Sequence, residues 1–282
     1  MTNKPCFMII GGDCRFSYIR NILEEKGFDA KRIYPGDYIA DDFSNTDIFI
    51  LPVPVSRDNI NINTPLSGEA FYIGDFIRLL PEGCTVAGGL ISDELEEKLQ
   101  RKGIRVFDYY SDEGLAVANA IPTAEGILGI LINSLPVTIN GMKCAVTGYG
   151  KCARAAAKAL ISLGAEVTVA ARSKKNLAEA AEDGADTCPL SDFAEKAGSF
   201  SAVINTVPAR VIDRRIISRL KKDCLLIEIA SAPFGIDFDC TKEYGINTIK
   251  AGSLPGRISP LTAGEIICNT ILSYSGSDFY GD

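Results

Sequence analysis

The chain has 282 residues, of which 46% are hydrophobic and 23% are charged, and its formal net charge is −7 at pH 7. This composition is typical of a globular protein long enough for two domains, and the acidity without a basic stripe argues against nucleic-acid binding. We find no apolar run as long as a membrane span, and the polar N-terminus leads directly into a strand, unlike a signal peptide.

The sequence contains no histidine, and its nine cysteines include no C-x-x-C pair. Without imidazole the chain lacks the most common general base and the most common zinc ligand, so we expect no metal site and no Cys–His or Ser–His mechanism. An odd number of scattered cysteines indicates reduced thiols in a cytosolic protein.

The first part of the chain alternates short apolar runs with amphipathic segments. The predicted strands are 6–12, 30–33, 47–51, 85–87 and 105–107, and the predicted helices are 16–26 and 93–102. Such alternation favours a parallel sheet with helices on both faces, and ligands of such sheets lie beyond the carboxyl ends of the strands. Asp13, Arg15 and Ser56 fall on these loops, where either a turn role or a ligand contact fits.

A long apolar helix is predicted over 122–136. Pro122 suits its first turn and Thr123 its cap, because the residues before them break the alternating pattern. This helix would link two domains, and Glu125 would face either solvent or the cleft between them.

The stretch 143–173 predicts a strand, a glycine turn, a helix and a second strand, with the G-x-G-x-x-A form of the dinucleotide fingerprint. Gly148 permits a tight turn, Gly150 lacks a Cβ that would keep the backbone from a pyrophosphate, and Ala153 lets helix and strand approach. The helix start offers N–H groups to the phosphates. The cofactor-binding residues predicted here are Gly148, Tyr149, Gly150, Lys151, Cys152 and Ala153.

The end of the second strand indicates which dinucleotide binds. An NAD enzyme usually has Asp or Glu there to bind the ribose, whereas this chain has Arg172, Ser173 and Lys174. A guanidinium and a hydroxyl would hold the 2′-phosphate of NADP. The alternative is a solvated basic helix start.

Three later strands end in small residues followed by proline, which would let backbone approach a flat nicotinamide. The cofactor-binding residues predicted there are Thr206, Val207, Pro208, Ala230, Ser231, Leu254 and Pro255. A last apolar helix opens at Pro260, and the N–H groups around Thr262 and Ala263 either hold a carboxylate or simply begin the helix.

Seven motifs occur in order over nearly the whole chain: GGDCR at 11–15, IPTAEG at 121–126, GYGKCA at 148–153, AARS at 170–173, NTVP at 205–208, ASAPFGIDF at 230–238 and LPGRISPLTAG at 254–264. In this combination the sequence resembles the family of dipicolinate synthase A subunits. The resemblance implies NADP-dependent oxidation of dihydrodipicolinate to dipicolinate during sporulation, on the lysine biosynthetic branch. It also implies a partner, the B subunit of dipicolinate synthase, and a place in the mother-cell cytoplasm.

The resemblance further implies two doubly wound α/β domains like those of formate/glycerate dehydrogenases. The flavodoxin-like substrate domain would cover 1–121, with a helix at 261–282 packing back on it, and the Rossmann domain would cover 122–260. We also expect a homo-oligomer.

The absence of histidine fits this chemistry, because aromatisation drives hydride loss from a dihydropyridine and the base needs little help. We expect Glu125, Asp13 or a water that they hold to take the proton. Arg15 and the helix start at Thr262–Gly264 would clamp the substrate carboxylates. The other predicted substrate-binding residues are Ser56, Thr123, Gly256 and Ala263.

Two alternatives stay open. A shikimate-dehydrogenase-like NADP oxidoreductase would need a lysine–aspartate pair in the N-terminal domain, whose lysines all fit solvated positions. The chain could instead be a non-catalytic NADP-binding subunit.

Overall fold

The computed structural model describes residues 4–34, 43–67 and 69–279, with side chains up to Tyr274. The first half contains β1 (Cys6–Ile10), α1 (Cys14–Glu25), β2 (Asp29–Ile33), β3 (Ile48–Ile50), β4 (Asn61–Ile62), β5 (Phe71–Tyr72), α2 (Ile73–Leu79), β6 (Thr85–Gly88), α3 (Asp93–Arg101), β7 (Arg105–Asp108) and α4 (Glu113–Ser134). The second half contains β8 (Lys143–Thr147), α5 (Lys151–Ser162), β9 (Glu166–Ala171), α6 (Lys174–Glu182), β10 (Asp186–Pro189), α7 (Phe193–Lys196), β11 (Ala202–Asn205), α8 (Arg214–Ile217), β12 (Leu225–Glu228), α9 (Phe238–Tyr244), β13 (Thr248–Lys250), α10 (Leu254–Ile258) and α11 (Pro260–Phe279).

The chain divides into two compact units, one formed by 1–118 with 259–282 and the other by 119–258. The divisions fall slightly before the predicted domain limits, and the first lies inside α4. Each unit is a parallel-sheet α/β structure, so the predicted fold class is confirmed.

Five of the described strands of the first unit form a parallel sheet in the order β2-β1-β3-β6-β7. Counted along this sheet alone the order is 2-1-3-4-5, the flavodoxin-like arrangement, whose switch point lies between β1 and β3. Asp13 follows β1 and therefore stands at the edge where such sheets bind ligands. The antiparallel pair β4–β5 lies outside this sheet and was not predicted.

The sheet of the first unit is covered on both faces. Along β1, Met8 and Ile10 belong to one apolar cluster and Phe7 and Ile9 to another, as the alternation of a strand requires. The second cluster also holds apolar residues of α1 and α11. The helix near the end of the sequence therefore contributes to the same core as the strand and helix at its beginning.

The described strands of the second unit form a parallel sheet in the order β10-β9-β8-β11-β12-β13. Counted along this sheet the order is 3-2-1-4-5-6, the Rossmann arrangement, with its switch point between β8 and β11. The alanine face of α5 (Ala153, Ala156 and Ala157) is buried in the apolar cluster that covers one side of this sheet. Strand β10 was not predicted.

The linker helix differs from the prediction. It runs from Glu113 to Ser134, with Pro122 inside it and Thr123 in its interior rather than at its cap. Apolar residues on both sides of Pro122 are buried, among them Leu115 and Ile127. Their packing stabilises a continuous helix even though Pro122 has no backbone N–H to donate.

By length and composition alone, α4 is long and apolar enough to cross a membrane, contrary to the prediction that no run reaches that length. Its most apolar window has a mean hydropathy of 1.7, and 44% of that window is buried within the structure. The core helix of a soluble protein meets the same criteria, so this is weak evidence for a membrane span.

Candidate functional site

The glycine turn follows β8 at the switch point of the second unit. Gly148 has a φ of +81°, in the left-handed region that glycine tolerates, and its N–H donates to the carbonyl of Ala170 at 2.8 Å. A Cβ at Gly148 would lie 2.8 Å from Val207 Cγ2 and 2.9 Å from Thr206 Oγ1. The turn and the loop after β11 therefore meet only because this residue has no side chain.

The start of α5 is built to receive an anion. Gly150 is its N-cap, and a Cβ placed there would meet no described atom within 4 Å. No side chain in the described chain caps the helix, so the N–H groups of Lys151, Cys152 and Ala153 stand at the positive end of its dipole. The open space over Gly150 and the N–H groups of the first helical turn fit the pyrophosphate of a dinucleotide.

Tyr149, predicted to bind the cofactor, has a buried side chain whose hydroxyl is hydrogen-bonded to Asp183. Its hydroxyl donates to Asp183 Oδ2 at 2.8 Å, and Arg154 Nε donates to the same oxygen at 2.6 Å. Burial, together with the bond to Asp183, raises the pKa of Tyr149, and the bonds from Arg154 and Tyr149 lower the pKa of Asp183. Only the backbone of Tyr149 is left for a cofactor.

The residues that predicted NADP lie at the surface, after β9. The side chains of Arg172 and Lys174 are exposed, and the Ser173 hydroxyl accepts from the N–H of Asn176 at 3.3 Å, which caps α6. Arg172 makes no ion pair or hydrogen bond with any other described residue. It also borders a cavity of about 350 Å³.

The loop after β11 is tied to β8. The Thr206 hydroxyl donates to the carbonyl of Thr147 at 2.7 Å, so this side chain joins two strand ends. Val207 packs near Gly148, and Pro208 is exposed. The side chains of Thr206 and Val207 thus place this loop beside the glycine turn.

A buried polar network that the sequence reasoning missed supports the same strand ends. Thr147 Oγ1 donates to Asn205 Oδ1 at 2.5 Å, and Asn205 Nδ2 donates to Glu228 Oε1 at 2.6 Å. Glu228 is 1% exposed. Its carboxylate also accepts from the N–H groups of Ala230, Gly235 and Ile236.

This carboxylate shapes the loop that carries Ala230 and Ser231. Four donors converge on the two oxygens of Glu228, so the loop 230–236 is held by one side chain from inside the sheet. A Cβ at Gly235 would lie 2.3 Å from Asn205 Nδ2, so only glycine fits there. A carboxylate at the end of a buried strand was the available sequence signal.

The predicted residues at α10 are less accessible. Leu254 and Pro255 are both buried, and a Cβ at Gly126 would lie 3.0 Å from Leu254 Cβ. The Leu254 side chain is therefore a core contact, and any cofactor contact there would come from backbone. Gly256 is half-buried.

Thr123 and Glu125 lie on α4. The Thr123 hydroxyl donates to the carbonyl of Asn119 at 2.8 Å and is also within hydrogen-bonding reach of the Cys152 thiol. Burial raises the pKa of Cys152, which does not favour a reactive thiolate. The Glu125 side chain is exposed.

In the first unit, Asp13 and Arg15 form an ion pair at the start of α1. Asp13 caps the helix through the N–H of Arg15, and its Oδ2 lies 2.8 Å from Arg15 Nη2. Arg15 Nε donates to Oδ1 at 2.9 Å, so the pair is bidentate. Burial alone would lower the pKa of Arg15, but the bonds and charge of Asp13 outweigh it and the pKa is raised.

A second arginine, absent from the sequence prediction, fixes the loop that carries this pair. Arg32 Nη2 donates to the carbonyls of Gly11, Gly12 and Asp13 at 2.9, 3.0 and 3.1 Å. Burial lowers the pKa of Arg32 from its ordinary value. Its position on β2, beside β1, is visible only once the strands are paired.

The remaining predicted residues of the first unit are Ser56, Thr262 and Ala263. The Ser56 hydroxyl donates to Asp58 Oδ1 at 3.1 Å and accepts from the N–H of Asn59 at 2.9 Å, so it is committed to its own turn. Thr262 is exposed and Ala263 buried in the first turn of α11.

Each unit thus assembles part of the predicted site. The first holds the Asp13–Arg15 pair and the start of α11, and the second holds the glycine turn, the loops after β11 and β12, and Glu125.

Comparison with known proteins gives two family matches. A model of the N-terminal domain of the dipicolinate synthase A subunit matches residues 6–110. A model of the NAD-binding domain of S-adenosyl-L-homocysteine hydrolase matches residues 120–263.

Individual relatives agree over nearly the full length. The chain is 30% identical over 281 residues to the A subunit of dipicolinate synthase from Bacillus subtilis (strain 168), covering 93% of each chain. The crystal structure of the corresponding A subunit from Bacillus halodurans is 26% identical, with a TM-score of 0.87 over 97% of this chain and 98% of that one. A transhydrogenase from Sinorhizobium meliloti shares the fold at 15% identity, with a TM-score of 0.68 over 97% of this chain and 95% of that one.

Proposed function

The chain belongs to the family of dipicolinate synthase A subunits, and we propose that it oxidises dihydrodipicolinate to dipicolinate with NADP+ during sporulation. The nucleotide-binding match over 120–263 and the open glycine turn support a nicotinamide cofactor. The substrate and the choice of NADP belong to the proposal, and the reaction would lie on a branch of lysine biosynthesis.

The observation that carries the choice of NADP is Arg172 at the end of β9. Its exposed guanidinium stands where NAD enzymes place a carboxylate, and it has no partner among the described residues. A guanidinium there would pair with a 2′-phosphate, which an Asp or Glu would repel. Ser173 and Lys174 follow it and add a hydroxyl and a second cation.

The substrate half of the proposal rests on Arg15. Asp13 accepts from Nε and Nη2 of Arg15 and so fixes the guanidinium, which would bind one substrate carboxylate. The N–H groups of Leu261 and Thr262 at the start of α11 would hold the second carboxylate, whereas the N–H of Ala263 already donates to the carbonyl of Ser259 at 2.9 Å.

Of the two carboxylates named from the sequence as acceptors of the proton, we propose Glu125. Asp13 already accepts hydrogen bonds from the Arg15 side chain, whereas the Glu125 side chain is exposed, so we assign the proton to Glu125. When bound, NADP+ supplies the hydride acceptor. Loss of a hydride and a proton makes the ring aromatic, so the base needs no imidazole.

We further propose that the protein works in the mother-cell cytoplasm with the B subunit of dipicolinate synthase, as a homo-oligomer. The B. subtilis relative is named as one subunit of a synthase, which supports a partner chain.

The test is turnover by the purified chain, given enzymatically generated dihydrodipicolinate with NADP+ or NAD+, followed by the absorbance of the reduced nicotinamide. We expect NADP+ to be preferred, and we expect Arg172→Glu to lower kcat/KM for NADP+ by about tenfold or more while sparing NAD+. Lys242→Glu, the same charge reversal on exposed α9, is the control.

Two outcomes would count against the proposal. Equal use of both cofactors by the unaltered chain, with no effect of Arg172→Glu, would remove the argument for NADP. Cofactor binding without turnover, even when the B subunit is present, would indicate a non-catalytic binding protein.

A further inference from the structure

A cavity beside Arg172 contains more positive charge than the sequence motif shows. It measures about 350 Å³ and opens at the carboxyl ends of β9, β10 and β11. Its lining residues are Arg172, Leu190, Ser191, Ala194, Arg210, Val211, Asp213, Arg215 and Ile216. We call it the arginine cavity. Three guanidinium groups and one carboxylate border it, so it favours an anion.

The charges in the arginine cavity are not equally available. Arg210 Nη1 donates to Asp237 Oδ2 at 3.1 Å, so a carboxylate balances its charge. Asp213 accepts from the N–H of Ile216 at 3.2 Å and caps α8. The side chains of Arg210 and Asp213 are therefore already bonded to neighbouring residues of the protein.

Arg215 differs from Arg210. Its Nη2 donates to the backbone carbonyl of Ser191 at 2.7 Å, a neutral acceptor that fixes the guanidinium but leaves its charge unbalanced. The carbonyl uses one of five N–H donors. Arg215 is therefore oriented on the wall of the cavity and able to bind an anion.

The other lining residues indicate what accompanies the anion. Leu190, Ala194, Val211 and Ile216 give the cavity an apolar side, which suits a flat heterocycle. An apolar wall beside two uncompensated guanidinium groups matches a purine nucleoside that carries a phosphate.

We infer that Arg215 is a specificity-determining residue that binds the 2′-phosphate of the adenosine half of NADP together with Arg172. This inference rests on the proposed cofactor and names a second ligand that the motif at 170–173 does not contain. Arg172 supplies an exposed guanidinium, and Arg215 supplies one that is already held by a hydrogen bond to Ser191.

The experiment measures binding to the purified full-length chain by calorimetry, without substrate or turnover. The probes are adenosine 2′,5′-bisphosphate and 5′-AMP, which differ only in the 2′-phosphate. We expect the unaltered protein to prefer the bisphosphate, and we expect Arg215→Ala to reduce that preference about tenfold while 5′-AMP binding changes little.

Two further variants make the result specific. Arg215→Lys keeps the charge without the fork and should retain part of the preference. Arg214→Ala is the matched control, because Arg214 lies on the same helix but pairs with Glu243 outside the cavity. It should leave the preference intact, and unaltered 5′-AMP binding by each variant reports that the site is folded.

The possible outcomes separate this inference from the proposed function. If Arg215→Ala keeps the full preference while Arg172→Ala loses it, the inference is wrong and the NADP proposal stands. If the unaltered protein shows no preference for the bisphosphate, both are wrong.

Discussion

The glycine turn after β8 shows how two neighbouring glycines serve different purposes. Gly148 adopts a φ of +81° against the loop after β11, whereas Gly150 has an ordinary φ of −78° and borders open space. The first requirement comes from the fold itself. The absence of a Cβ at Gly150 matters only when a ligand lies over the turn.

Paired alanine substitutions separate these requirements. Gly148→Ala should lower the free energy of unfolding by about 1–3 kcal/mol, because a Cβ there meets a strained backbone and two close side-chain atoms. Gly150→Ala should change it by at most about 1 kcal/mol, yet weaken NADP+ binding. Urea unfolding measures the first quantity and calorimetric titration the second.

The comparison fails if Gly150→Ala binds NADP+ as tightly as the unaltered protein. The space over the turn would then have no part in holding a pyrophosphate. Loss of stability in both variants would instead show that Gly150 serves the fold.

The sequence predicted the backbone of this turn but not the role of Tyr149. Spacing of glycines reports what the main chain must do, and that part was readable. The Tyr149 side chain is buried against Asp183, 34 residues later, and no local pattern specifies such a partner. Arg32 was missed for the same reason, since its three carbonyl acceptors belong to the loop that follows a different strand.

Among the elements, β12 has a function beyond its place in the sheet. It ends in Glu228, whose carboxylate accepts from Asn205 Nδ2 and from three backbone N–H groups of the loop 230–236. One buried side chain therefore sets the position of two loops that we propose to contact the cofactor.

Glu228→Gln should damage both loops with almost no change in size. The amide nitrogen that replaces one carboxylate oxygen can donate but not accept, so the two donors that this oxygen accepted from would face another donor in a buried environment. We expect the free energy of unfolding to fall by about 1–3 kcal/mol, and we expect the variant to have a higher KM for NADP+ than the unaltered protein has. Urea unfolding and initial-rate kinetics measure these effects, and hydrogen exchange should show less protection at Gly235 and Ile236.

Glu243→Gln is the matched control. It makes the same change in an exposed ion pair with Arg214, where little stability is expected to depend on it. If Glu228→Gln keeps normal exchange at Gly235 and Ile236, the carboxylate does not hold the loop.

Helix α4 shows that local start signals, such as a proline and a capping residue, do not always locate the beginning of a helix. A proline and a threonine normally begin a helix, and the local pattern favoured a start at 122. The structure begins the helix at Glu113, because buried apolar residues before and after Pro122 stabilise one continuous element. Tertiary packing of this kind has no signature within a short window.

At the scale of the whole molecule, the alternation of strands and helices favoured a parallel sheet in the first part of the chain, and the glycine fingerprint indicated a dinucleotide-binding unit in the second. The arrangement as two doubly wound domains was implied by the resemblance. The strands that were missed, β4, β5 and β10, have two to four residues each, too few to establish a periodicity. Strand order was beyond the sequence pattern itself, since it depends on which strands pair across long separations.

Helix α11, near the end of the sequence, packs within the first unit. Gly264 of α11 lies so close to α1 that a Cβ there would be 2.7 Å from the carbonyl oxygen of Arg15. Farther along, Ile267 and Ile271 join Phe16 and Ile19 in one buried cluster. The residues that we propose to bind substrate therefore depend on a segment almost at the other end of the sequence.

Ile271→Ala tests this dependence. Ile271 is 1% exposed, and its truncation should lower the free energy of unfolding by about 2–5 kcal/mol, whereas the exposed Leu261→Ala on the same helix should change it little. Because the lost contacts lie within the first unit, hydrogen exchange should accelerate in α1 and α11 while β8 to β12 keep their protection. Equal loss of protection in the second unit would show that the two units unfold as one, and the C-terminal helix would then stabilise the whole chain rather than the unit that it completes.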